Sequence, residues 1–123
     1  MILKRSILLL SISVFVLVLG QSCNKDKLEP AVTSSDCEDA ITYDAQVATI
    51  INNNCSTSGC HDSSNSGGYT LMTFEQVSNN ADIILSAMKH EDGFSPMPQG
   101  NDQLDEGKIN DVSCWILQGK NEN

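Results

Sequence analysis

Apolar positions along the chain fall into separate patterns, and each predicts a different kind of element. Ile7 to Leu19 form one apolar stretch without a charged residue, too short for the roughly 20 residues of a spanning helix. Residues 24–40 are polar and lack periodicity, which predicts a tether. Helical spacing then begins. Thr42 can cap a helix through Asn53 that carries Tyr43, Val47, Ile50 and Ile51 inward. Residues 62–68 form a loop of Ser, Asn and Gly. Thr73 and Gln76 fit a capping box that opens a second helical region. Phe74, Val77, Ile84, Leu85 and Met88 mark its inner face, with a break expected at Asn79-Asn80. From Gly93 to Gly100 the chain is non-helical, because Pro96 and Pro98 bracket Met97. A last helix runs from about Asp105 to Gln118, with Ile109, Val112, Ile116 and either Cys114 or Trp115 inward, and Gly119 is a natural stop. No segment reads as a strand. The pattern predicts an all-α domain from residue 41 to about 120.

Charge and the N-terminus set the compartment. Lys4 and Arg5 precede the apolar stretch, and Gly20-Gln21-Ser22 leads into Cys23. A basic start, an apolar middle and small residues before a cut describe a signal peptide over residues 1–22. A cysteine at the cut predicts a lipoprotein, with Cys23 acylated and anchored in the membrane. Gly20 makes the lipobox loose, so ordinary cleavage with a free or disulfide-bonded Cys23 is the alternative. The whole chain carries a net charge of −9; residues 23–123 hold five basic against sixteen acidic residues, a net charge of −11. Such acidity disfavours nucleic acid and anionic headgroups and favours partners with a basic docking surface.

The chemistry concentrates in Cys55-Ser56-Thr57-Ser58-Gly59-Cys60-His61. Two cysteines closed by an adjacent histidine are what covalent c-type haem attachment requires. Each thiol adds across one vinyl group, and the histidine serves as proximal iron ligand. The usual spacer has two residues, and here there are four. The extra length can bulge outward without moving Cys60 relative to His61. Zinc fits less well, because a structural site wants four donors and this cluster offers three. Opposite His61, Met97 between two prolines could present its thioether at low entropic cost. Met72 and Met88 compete with it, although Met88 falls in an apolar helical pattern. His90 is the other histidine. It could replace Met97 as distal ligand, end the second helical region, or hydrogen-bond a propionate.

The remaining cysteines are Cys37 and Cys114. In an exported chain two spare thiols predict a disulfide tying the segment before the first helix to the last helix. Cys114 as a small buried apolar residue is the alternative. A domain of about 80 residues has a small core and benefits from such a staple.

With its first helix, Cys-Cys-His motif, Gly67-Gly68-Tyr69-Thr70-Leu71, His90, Met97-Pro98 and final Trp115-Ile116 helix, the chain resembles small single-haem cytochrome c domains of exported bacterial proteins. It is most similar to the planctomycete-type group and its relatives among Bacteroidetes lipoproteins, over about residues 40–119. The resemblance implies a cytochrome c-like fold with first and last helices packed together over one haem c. It implies Cys55 and Cys60 as thioether sites, His61 as proximal ligand and Met97 as distal ligand. The expected function is one-electron transfer between redox partner proteins in the cell envelope, with no catalytic residues. Two other classes stand beside it: a gas or redox sensor in which Met97 leaves the iron, and a haem-free surface lipoprotein with a local Cys55–Cys60 disulfide. A haem domain described as polypeptide should carry an apolar cavity beside Cys55, Cys60 and His61.

Overall fold

Thr42 has extended backbone, and its hydroxyl accepts the Ala45 N–H at 3.4 Å, so the first helix starts there. The computed structural model describes residues 32–123. The opening turn of that helix, Tyr43–Val47, is π-wound, because the Val47 N–H reaches the Thr42 carbonyl five residues back. It runs directly into α1, Ala48–Asn54. Two N–H groups of this first turn, which no earlier residue of the helix can satisfy, are taken by the C-terminal segment: Tyr43 donates to the Asn121 carbonyl and Asp44 to that of Glu122, both at 2.9 Å.

The second helical region is two helices, α2 (Phe74–Asn79) and α3 (Ala81–Met88). Thr73 and Gln76 form the reciprocal capping box at its start. Asn80 interrupts the winding, and its side-chain amide donates to the Gln76 carbonyl at 2.7 Å. The last helix, α4, spans Glu106–Leu117. Asp105 caps it by accepting the Lys108 N–H, and the Lys108 side chain with that N–H holds the Asp105 carboxyl below its usual range. At the far end Gly119 takes φ +96°. The Gly119 N–H donates to the Ile116 carbonyl and the Lys120 N–H to that of Trp115, which is a Schellman motif. Among the described residues there are helices and turns and no strand, so the domain is all-α.

α4 packs against α3 and against the π turn. The seam is aromatic. Tyr43 and Phe74 meet edge to face at 5.3 Å between centroids, and Trp115 lies 6.1 Å from Tyr43 and 6.4 Å from Phe74. Each such pair contributes about 0.5–1.5 kcal/mol beyond the area it buries. Both Cys114 and Trp115 are buried, and the Trp115 indole N–H donates to the Asn121 carbonyl at 2.8 Å. Val47, Ile51, Val77, Met88 and Val112 fill the core around them.

Within the segment expected to be a tether, the described residues from Val32 onward are attached to the helical domain. A 3-10 turn at Ser34–Asp36 leads to Cys37, joined to Cys114 by a disulfide with Cα atoms 5.6 Å apart. Gln118 adds two hydrogen bonds, accepting the Ile41 N–H and donating to the Asp39 carbonyl, each at 2.8 Å. Polar composition predicts a tether here; a covalent bond and long-range side-chain contacts instead hold Cys37, Asp39 and Ile41 to Cys114 and Gln118. The expected signal peptide and the lipidated Cys23 lie outside the described residues.

Candidate functional site

α1 ends at Asn54 and delivers Cys55 into the interior, with its N–H still bonded to the Ile51 carbonyl at 2.8 Å. The chain then bulges outward through exposed Thr57, Ser58 and Gly59. Gly59 has φ +80°, the left-handed conformation that turns the spacer back toward Cys60. The His61 N–H closes the bulge on the Cys55 carbonyl at 3.1 Å, so the added spacer residues leave both ends of the motif fastened together.

His61 is buried, and its ring is fixed by the loop that follows. Its Nδ1 lies 2.8 Å from the Tyr69 carbonyl oxygen. A carbonyl can only accept, so Nδ1 carries the hydrogen and Nε2 holds the free lone pair. Backbone bonds from Gly67 to the Cys60 carbonyl (2.8 Å) and from Leu71 to the His61 carbonyl (2.9 Å) pin the loop that supplies Tyr69. Gly67 lies flat against the imidazole. A Cβ there would stand 2.7 Å from Cε1 and 2.8 Å from Nδ1. Gly67→Ala is therefore expected to push the ring off the Tyr69 carbonyl and destabilise the domain by about 1–3 kcal/mol, measured as a lower urea midpoint.

A cavity of about 810 Å³ opens beside these residues, and its lining brings together Cys55, Cys60, His61 and Met97. Apolar walls come from Leu71, Ile84, Ala87, Met88, Phe94 and Leu104. Cys55 and Cys60 are free thiols, one buried and one exposed. Burial, reinforced by the neighbouring Cys60, pushes the Cys55 thiol up to about 11. At neutral pH it keeps its proton and is a slow partner for disulfide exchange. Among the described residues no three His, Cys, Asp or Glu side chains converge to hold a metal ion.

Met97 follows the end of α3. Its N–H donates to the Ala87 carbonyl at 3.0 Å, and its carbonyl is 3.1 Å from His90 Nε2. Met88 also lines the cavity, from within the core, whereas Met72 is exposed and is not part of the lining. His90, the alternative distal ligand, is not among the lining residues; its Nε2 bonds the Met97 carbonyl, seven residues along. Gly67 and the Tyr69 carbonyl carried no sequence signal beyond membership of a Gly-Gly-Tyr stretch. Their roles depend on where the loop folds back.

Comparison with family models, with curated proteins and with solved structures finds no match for this chain.

Proposed function

We propose that this protein is a single-haem c-type cytochrome that carries one electron at a time in the bacterial cell envelope. The observation that carries the proposal is the hydrogen bond that fixes the His61 ring beside the cavity. Nδ1 is committed to the Tyr69 carbonyl, which leaves Nε2 as a lone-pair donor at a cavity also lined by two free thiols and Met97. A hydrogen bond of this kind fixes ring orientation and raises ligand basicity in metal-ligating histidines. The donor set of two thiols, an imidazole and a thioether around apolar walls fits haem c.

In that assignment Cys55 and Cys60 would hold the porphyrin by thioether bonds, and His61 and Met97 would ligate the iron. Haem, when bound, supplies a one-electron couple whose potential a Met/His pair raises. The chain's own contribution is positioning and a largely apolar lining. Leu71, Ile84, Met88 and Leu104 present no polar group to the cavity, and the Tyr69 carbonyl keeps His61 from rotating. Filling a cavity this large also adds apolar contact that a small domain otherwise lacks. The protein is exported and held at the membrane by an acylated Cys23. Its redox partners offer basic surfaces to its net charge of −11 over residues 23–123.

The test is an oxidised and reduced visible spectrum of protein matured in a host that attaches haem c, followed by a haem stain after denaturation. Sharp low-spin bands and haem that stays on the chain are the expected result. A colourless product beside a control that takes up haem would reject the assignment and leave a disulfide-stapled lipoprotein. Met97→Ala is expected to retain covalent haem, lose the methionine–iron charge-transfer band and lower the potential. An unchanged spectrum would mean that Met97 is not the distal ligand.

A further inference from the structure

The ends of α3 and α4 are built alike except at one position. In both helices the N–H groups of the two residues after the cap turn back on carbonyls of the last turn. At α4 these are Gly119 to Ile116 and Lys120 to Trp115; at α3 they are His90 to Ala87 and Glu91 to Ser86, at 3.2 and 3.0 Å. The motif demands a left-handed residue, and α4 uses glycine for it. α3 uses His90, at φ +54°. A side chain with a Cβ is strained in that region, and the strain persists only where something else holds the residue there.

What holds it is on the opposite side of the loop. His90 Nε2 lies 3.1 Å from the Met97 carbonyl oxygen. As the acceptor is a carbonyl, Nε2 is the donor. Met97 is thereby gripped at both of its backbone groups by the same helix end, its N–H by the Ala87 carbonyl and its carbonyl by His90. The residues between, from Glu91 to Pro96, are exposed and make few other attachments. We infer that His90 is a positioning residue, whose hydrogen bond to the Met97 backbone sets the Met97 side chain at the cavity. The inference rests on the haem assignment above and deepens it: His90 acts on the iron through Met97 without touching it. A glycine at residue 90 would satisfy the helix end better, so histidine is there for the bond to the loop.

Two variants of the full haem-loaded protein test this. His90→Gly removes the hydrogen bond while relieving the left-handed backbone. His90→Gln keeps an N–H donor at a similar reach. Helical circular dichroism, the denaturing haem stain, the methionine–iron charge-transfer band and the reduction potential are read for each. The expected result is a folded His90→Gly protein with covalent haem, a lost or strongly diminished band and a lower potential, with the band largely restored in His90→Gln. A His90→Gly protein with the wild-type band and potential would overturn the inference. So would loss of the band in both variants, since the hydrogen bond would not be the cause. Loss of helical signal in His90→Gly would assign the residue to the fold alone. A wild-type protein with low-spin covalent haem but no methionine band would sink the role of His90 while leaving the haem assignment standing. A colourless wild-type protein would remove both.

Discussion

Replacing His61 with alanine is expected to abolish the low-spin haem spectrum, even where one or both thioether bonds still form. His61 is the imidazole that lines the cavity, while His90 is tied to the Met97 backbone and is not placed to substitute for it. The loss should be all or nothing in the optical bands, because a five-coordinate or water-ligated iron differs in spin state and not in degree. The polypeptide should also weaken. Alanine deletes the hydrogen bond to the Tyr69 carbonyl, at a cost of about 1 kcal/mol, and leaves space in front of Gly67. The two effects separate in practice. The spectrum reports the ligand, and a urea titration of haem-free protein reports the packing. Low-spin bands that survive His61→Ala would move the proximal ligand elsewhere.

Breaking the Cys37–Cys114 bond should have the largest effect on stability. The bridge closes a loop with a sequence separation of 77 residues. In the chain-entropy account, opening a loop of that length costs about 4.5 kcal/mol. Against the roughly 5–15 kcal/mol that holds a typical domain folded, this is a large share. The test is a urea titration of wild type and of the double variant Cys37→Ser, Cys114→Ala. Alanine suits position 114 because that side chain is buried, and serine suits the half-buried position 37. The midpoint is expected to fall steeply, and adding reductant to the wild type should reproduce much of the change. Equal midpoints would mean that the bridge adds little and that the aromatic seam of Tyr43, Phe74 and Trp115 carries the fold by itself.

Much of the fold was legible because its boundaries are written in side chains. Thr42, Thr73 with Gln76, and Asp105 each start a helix through a local hydrogen bond, and Gly119 stops one through its backbone freedom. The break at Asn80 had the same local character. What escaped was whatever depends on backbone groups far apart in the chain. No residue type announces that Asn121 and Glu122 will supply carbonyls to Tyr43 and Asp44, or that the first turn will wind as a π helix. The candidate site divides in the same way. Cys55, Cys60, His61 and Met97 stood out by chemistry and spacing. The Tyr69 carbonyl that fixes the His61 ring is an atom every residue possesses, and Gly67 matters only because an imidazole rests on it. His90 drew attention as a histidine, but its left-handed backbone and its bond to Met97 could be read only from the folded loop.

The Cys37–Cys114 bridge also governs how the domain answers to mechanical load. Tension applied between the N-terminal and C-terminal sides passes from Cys37 to Cys114 through the sulfur atoms. Every residue between the two cysteines, including the Cys55–His61 motif, the His61 loop and Met97, lies on a slack branch that the pull cannot extend. Only the segments before Cys37 and after Cys114 can unravel under force, so the loop that lines the cavity is kept from stretching by covalent topology rather than by the strength of its own contacts.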